Sequence, residues 1–376
     1  MNLTNTTIAE PHDLFLSQDM DNGYFVETMV GIIPKKSYLG VIYFILAFGL
    51  LGNACIIALM QDREFRNLSY SVYLRVLAVS DSLLLAAVGT EDILDHQYYR
   101  LDEFQTSSEA LCKIWQYVAQ ALRVISPWLV VSLTFDRFVA VVFPLKRSEF
   151  CSRRTASIVC SVVMGVTFAE TLFFPLLAKV VDGECAMPDW ESVRNYASFR
   201  SLALETTIPC VLILFLNVYI IIVIDRSRRF RAAAAAAGSR QPGQEKTTRV
   251  DAATVSLMAV SVMAFVTLVP ISLLQVVEWA IENQLARLEA RMDRNNTEHV
   301  QTYQSTENML YDVGNYWPVL NLVYLFNFGH NFYIMLVSGA KYRNKVGSWF
   351  KCLSFLRRKQ SSTNRVTNRD TEPSKF

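Results

Sequence analysis

An all-α membrane protein, a bundle of seven transmembrane helices closed by a short amphipathic helix, is the fold class this sequence predicts. Three observations carry the prediction. Of 376 residues, 52% are hydrophobic and 19% charged, whereas a soluble chain carries roughly a quarter charged residues. The apolar residues fall in blocks of about 20 residues, long enough to cross a hydrocarbon core of about 30 Å as a helix. Seven such blocks follow one another along the chain. The same composition excludes collagen, general disorder and a disulfide-dense secreted scaffold.

In order, the blocks are Ser37–Met60, Leu68–Leu94, Leu111–Val142, Thr155–Val180, Tyr196–Ile224, Val250–Ile281 and Met309–Val337. Backbone polar groups cannot be left unpaired in lipid, so each block is expected to be helical. Residues 1–36 are polar and acidic, with no cationic stretch leading into an apolar core, so no cleavable signal peptide is expected. Residues 1–36 form an outer segment, 37–338 the bundle, 339–355 the amphipathic helix and 356–376 a disordered tail. Ala232–Ala237 and the Gly-Ser-Arg-Gln-Pro-Gly that follows read as a flexible linker. Glu282–Arg294 has helical residues and is expected to extend the sixth helix above the membrane.

Lys and Arg set the orientation. With the N-terminus outside, two fall in the first inner loop, five in the second, seven in the third and ten after Gly339, which is 24 of 36 on one face. The opposite face is acidic around Asp95–Glu109 and Asp182–Glu191. The N-terminus is therefore expected outside a plasma membrane and the C-terminus in the cytosol. Asn2, Asn5 and Asn295 open glycosylation sequons on the outer side, while Asn67-Leu68-Ser69 on the inner side is a chance match. Cys112 and Cys185 both fall on the oxidising side, where a disulfide can form. Two unrelated buried thiols is the alternative. No CxxC pair or His/Cys cluster suggests zinc.

Ionisable or strongly polar groups at membrane depth are costly and hence candidate functional residues. Asp81 lies midway along the second block, Asn53 midway along the first, and Asn327 and Asn331 share one face of the seventh. Hydrogen bonding among themselves is the plain structural alternative.

Asp136-Arg137-Phe138 ends the third block, with Arg137 25 residues after Cys112 and Pro144-Leu145 following. This resembles the DRY motif and second inner loop of class A, rhodopsin-like G-protein-coupled receptors. Asn53, Asp81, Pro209 and Pro270 match that family's landmarks. Asn331-Phe332-Tyr333-Ile334-Met335 and Ser338-Gly339-Ala340-Lys341-Tyr342-Arg343 resemble the NFxIY and SGxKFR forms of invertebrate neuropeptide receptors related to FMRFamide receptors. The resemblance covers roughly residues 37–355. Departures are plain too. Thr267-Leu268-Val269-Pro270 lacks the CWxP tryptophan, the fourth span has no tryptophan, Met335 replaces the NPxxY tyrosine, and Asn217 replaces the usual fifth-span tyrosine.

The resemblance implies a switch at Asp136 and Arg137, and an allosteric sodium site at Asp81, Ser126, Asn327 and Asn331, with no other cofactor. It also narrows the ligand. Leu325 stands where an opsin has its Schiff-base lysine, and Ala119 where amine receptors have a carboxylate. The outer half instead carries Glu91, Asp92, Arg123, Glu170, Glu205 and Glu278 among Gln120, Gln275, Trp317 and Asn321. Arg123 could simply pair with Glu205 or Glu91. The ligand-binding set expected is Glu91, Gln120, Arg123, Glu205, Gln275, Glu278, Trp317 and Asn321, suited to a short peptide with a cationic group and an amidated aromatic end.

On the inner face Lys341–Cys352 is amphipathic, with Cys352 a palmitoylation candidate and a free thiol the alternative. The tail's Ser361, Ser362, Thr363, Thr367 and Thr371 suit a receptor kinase and arrestin. Expected function is therefore a neuropeptide-like receptor acting on a heterotrimeric G protein, with no nucleic-acid partner. A class A receptor for a lipid or other small molecule is the alternative. A transporter or channel would more often show internal repeats or broken half-helices, and neither is evident. No phosphate loop, zinc motif or Ser/His/Asp set supports an enzyme.

Overall fold

The computed structural model describes residues 29–94, 107–181, 184–188, 191–236, 244–291 and 296–349. A two-stranded hairpin, β1 (Met29–Val30) and β2 (Ile33–Pro34), precedes the first span. Its tight turn is made at Gly31, whose φ of 54° suits glycine because no Cβ opposes it. The spans then run Lys35–Gln61, Ser69–Ile93, Glu109–Val142 and Arg153–Glu170. Among the described residues six helices are long and apolar enough to cross a membrane, and a pair bent by 60°, Thr297–Asn327 with Asn331–Ser338, makes the seventh.

Each span buries one stripe and leaves the rest apolar toward lipid. In the fifth, Cys210, Ile213, Asn217, Ile220 and Ile224 are buried at helical spacing, while Val211, Phe215, Val218 and Ile222 are exposed. The core has two parts. One, around Leu77, Leu129, Leu133, Val260 and Met335, lies toward the inner end. The other, around Ile42, Leu84, Leu122, Leu268 and Phe328, lies toward the outer end.

Several boundaries differ from the hydropathy reading. The fourth span ends at Glu170, followed by a short helix at Phe173–Leu177 and then strand β3 (Lys179–Val181), so Val180 is extended rather than helical. β3 pairs antiparallel with β4 (Glu184–Ala186), setting Val180 opposite Cys185. That hairpin delivers Cys185 to Cys112, and the two form a disulfide with Cα atoms 5.6 Å apart. The fifth span starts at Glu191 and passes through a π-helical segment, Arg200–Thr207, before Ile208–Ala236. Pro209 supplies a reason: it has no N–H to donate and its ring clashes with the carbonyl of Glu205, which favours a wider turn just before it.

The sixth helix runs from Gln244 to Glu289, well beyond the apolar block at both ends, and a separate helix, Thr297–Gly314, packs against it. The seventh block, Met309–Val337, is not one helix: it begins inside Thr297–Gly314, continues through Trp317–Asn327 and ends in Asn331–Ser338, with the sharp bend at Phe328-Gly329-His330. Residues 340–349 form the amphipathic helix. Asn2, Asn5, Asn295 and Cys352, and the tail's Ser361, Ser362, Thr363, Thr367 and Thr371, lie outside the described residues.

Candidate ligand cleft and inner switch

Arg200 organises the outer end. It opens the π-helical segment and is only 1% exposed. One guanidinium nitrogen donates to Gln120 Oε1 at 2.9 Å and to Glu205 Oε1 at 2.8 Å. The other donates to the Gln120 carbonyl at 2.5 Å. Nε lies 3.0 Å from Glu170 Oε1, and the guanidinium sits over the Phe174 ring at 5.0 Å. Tyr196 donates to the same Glu170 oxygen, whereas Glu170 Oε2 has no hydrogen-bond partner. Gln275 donates to Ser201, whose hydroxyl reaches Glu205 Oε2 at 3.4 Å. Trp128 caps the Leu204 carbonyl at 2.9 Å and so pins the wide turn against the third span.

Glu205 and Gln120 are thus brought together by Arg200, so that of the two partners the sequence offered Arg123 (Glu205 and Glu91) only Glu91 is left to it. Arg123 has Glu91 as its partner at a loose 3.9 Å. Asn321 donates to Asp92 at 3.0 Å and to the Tyr38 hydroxyl at 3.1 Å. At the rim, Trp317 donates to Glu278 at 2.9 Å. Glu170 and Glu205 therefore share the Arg200 guanidinium and Glu91 faces that of Arg123, while Asp92 accepts from the Asn321 amide.

Below, Asp81 is fully buried. Ser126 donates to its Oδ1 at 2.5 Å and Asn331 to its Oδ2 at 3.0 Å. Asn327 does not join them: its Oδ1 accepts from Thr267 at 2.8 Å. Thr267 stands at the first position of the CWxP motif, and Leu268 fills the tryptophan's position with no exposure. Asn53 donates to the Phe328 carbonyl at 3.0 Å, tying the first span to the break in the seventh.

At the inner end Arg137 is ion-paired with Asp136, and both are buried. Ser69 donates to Asp136 at 3.0 Å and lies 3.1 Å from Arg137, whose guanidinium stacks over Tyr70 at 5.0 Å. Asn217 and Ser261 bond side chain to side chain at 2.9 Å, joining the fifth and sixth spans near this level. The Cys151 thiol contacts the Asp136 carbonyl at 3.4 Å, and burial pushes its pKa up to about 11, so it stays a thiol.

Residues 52–310 match the family described as "7 transmembrane receptor (rhodopsin family)". The chain belongs to the rhodopsin family of seven-transmembrane receptors. The receptor is 26% identical to mouse G-protein coupled receptor 35 over 48% of its own length and 56% of that protein's. It is 30% identical to rat G-protein coupled receptor 183, over 44% of this receptor and 43% of that one. It is 23% identical to the rat neuropeptide S receptor, over 50% and 49% respectively. The receptor thus spans about half the length of these curated relatives. It is a multi-pass membrane protein, and a receptor rather than an enzyme.

Sequence reasoning passed over Arg200. It lay inside an apolar block and by rule was a candidate, but its partner Glu205 is five residues on. In an α-helix that places the two about 140° apart.

Proposed function

We propose that this receptor sits in the plasma membrane with its N-terminus outside, binds a short peptide carrying a cationic group, and promotes nucleotide exchange on a heterotrimeric G protein. The observation that carries the reading is the buried Asp136–Arg137 pair, held by Ser69 at the inner end of the third span. A charged pair there is costly unless it is used or fully matched. The surplus of carboxylates in the outer cleft supports a cationic ligand, and the name of one relative, the neuropeptide S receptor, indicates a peptide. The FMRFamide-like subgroup rests on the Asn331–Met335 and Ser338–Arg343 motifs alone. Excess Lys and Arg on the inner side support the orientation, with Asn2, Asn5 and Asn295 glycosylated, Cys352 palmitoylated, and arrestin and kinase acting on the tail.

Asp81, Ser126 and Asn331 offer a carboxylate, a hydroxyl and an amide oxygen, hard oxygen donors of the kind a sodium ion takes, while the Asn327 oxygen is turned to Thr267. A bound sodium would supply positive charge beside Asp81 and hold the resting arrangement. Agonist affinity should fall as sodium rises, and Asp81→Asn should abolish that dependence.

The deciding experiment is a nucleotide-exchange assay on membranes, with a library of short basic peptides as agonists. Asp136→Asn should raise basal exchange, and Arg137→Ala should cut peptide-stimulated exchange at least tenfold at matched surface level. Unchanged exchange in both variants refutes G-protein coupling. A panel in which only neutral lipids stimulate exchange would favour the lipid or small-molecule alternative.

A further inference from the structure

The cleft also contains donors that no carboxylate uses. Arg123 projects from the third span, and its Nε is buried without a hydrogen-bond partner. Its nearest ion-pair oxygen, on Glu91, is 3.9 Å away, against 2.8 Å and 3.0 Å for the carboxylates on Arg200. Tyr324, from the seventh span, is 6% exposed; its hydroxyl has the Arg123 side chain as a polar neighbour and no acceptor for its own proton. Two donors, the Arg123 Nε–H and the Tyr324 O–H, are therefore buried side by side with no carboxylate or carbonyl accepting from either. Such groups are seldom left unpaired in a folded protein, because burial takes their water away without replacing its hydrogen bonds. A guanidinium N–H next to a phenol O–H is the pairing that a planar oxyanion satisfies, one oxygen to each.

We propose that Arg123 and Tyr324 form an anion subsite that takes a carboxylate of the ligand. The ligand would then be zwitterionic: its cationic group lies toward the acidic walls, and its acid group enters between the third and seventh spans. A free terminal carboxylate replaces the amidated end that the sequence suggested. The proposal rests on the ligand-cleft reading above but not on G-protein coupling. Glu91 is its built-in competitor. With no acid bound, Glu91 is the nearest ion-pair partner of Arg123, and the loose 3.9 Å contact is readily exchanged.

The test uses purified full-length receptor and a matched pair of probes, indole-3-acetic acid and indole-3-acetamide, followed by thermal unfolding. The acid should raise Tm in a saturable way and the amide should not. Arg123→Gln should raise the half-effective acid concentration at least tenfold, and Tyr324→Phe about three- to tenfold. Glu91→Gln should lower it, because the competitor is gone, although the same change should weaken basic peptides. Arg137→Ala should leave the acid response intact while cutting peptide-stimulated exchange at least tenfold, which separates failure of this subsite from failure of the signalling reading. If Arg123→Gln does not fold, Tyr324→Phe and Glu91→Gln decide the matter. Equal shifts by acid and amide, no shift by the acid, or an acid effect that all three cleft variants leave unchanged overturns the proposal.

Discussion

Burying a guanidinium inside a helical bundle costs several kcal/mol unless its charge and its N–H groups are matched, and Arg200 shows how the match is made. Two carboxylates, an amide and a carbonyl from three spans converge on it. Removing the arginine strands Glu170 and Glu205 beside each other. Arg200→Gln should therefore destabilise the receptor by about 3–5 kcal/mol, seen as a lower Tm and reduced surface expression. Adding Glu205→Gln should restore part of the loss, so the double variant falls well short of the sum of the singles. Strict additivity would show that the pair is not coupled. Individual residues were unevenly legible in the sequence. Asp81, Asp136 and Arg137 announce themselves, because an ionisable group in an apolar block is visible from composition alone. Arg200 could be found by the same rule, but its partnership with Glu205 could not. That pairing exists only because the backbone widens ahead of Pro209, and a helical wheel assumes it does not.

Among the elements, the amphipathic helix over 340–349 is fastened more by polar contacts than its apolar stripe suggests. Lys345 reaches Asp62 at 2.7 Å and Lys341 reaches Glu64 at 3.1 Å, both in the first inner loop. Lys341 also lies over the Phe65 ring, and Tyr342 packs against that ring at 5.4 Å. The hydrogen bond from Lys345, helped by the Glu64 N–H, holds the Asp62 carboxyl below its ordinary range. A carboxylate lowered in the folded state favours docking above its unfolded pKa of about 3.9. It loses that contribution as pH falls through the folded value. Protection of the 340–349 amides, relative to their intrinsic exchange rates, should accordingly fall below about pH 4 and in high salt, and Asp62→Asn should lower it at neutral pH. Protection that is independent of pH and of the substitution would put the clamp down to Phe65 and Tyr342 alone. Hydropathy found this helix, and it found the seven spans, because both are written in composition. It could not find the break at Gly329 or the β3–β4 hairpin. Those depend on where the chain must go, to let the seventh span meet the first and to carry Cys185 to Cys112.

Over the whole molecule, the first and seventh spans meet backbone to backbone. A Cβ on Gly329 would stand 2.6 Å from Gly49 Cα, and one on Gly49 would stand 2.6 Å from Leu85 and 3.0 Å from Gly329 Cα. Small residues let helices approach in lipid, where apolar burial alone does not drive association. Gly49→Ala and Gly329→Ala should each lower stability by about 1–3 kcal/mol. Gly40→Ala, with nothing within 4 Å, should change it by less than about 0.5 kcal/mol. Thermal unfolding of the three variants tests this, and equal Tm values would mean the contact yields without strain. At this scale the sequence was most legible: the number of spans and the family were readable from apolar blocks and a few landmark residues. The handful of close approaches was not, because two glycines 280 positions apart carry no mark of being neighbours.

The sixth helix has a mechanical consequence. It is unbroken from Gln244 to Glu289, and Pro270, which leaves one carbonyl without its partner, is its softest point. At 1.5 Å per residue the arm below Pro270 is about 39 Å and the arm above about 29 Å. A rocking motion about that fulcrum multiplies travel by about 1.3 from outside to inside. The upper arm is stiffened by the helix Thr297–Gly314 lying along it. A small tug at the mouth would therefore arrive at the cytosolic end enlarged rather than damped.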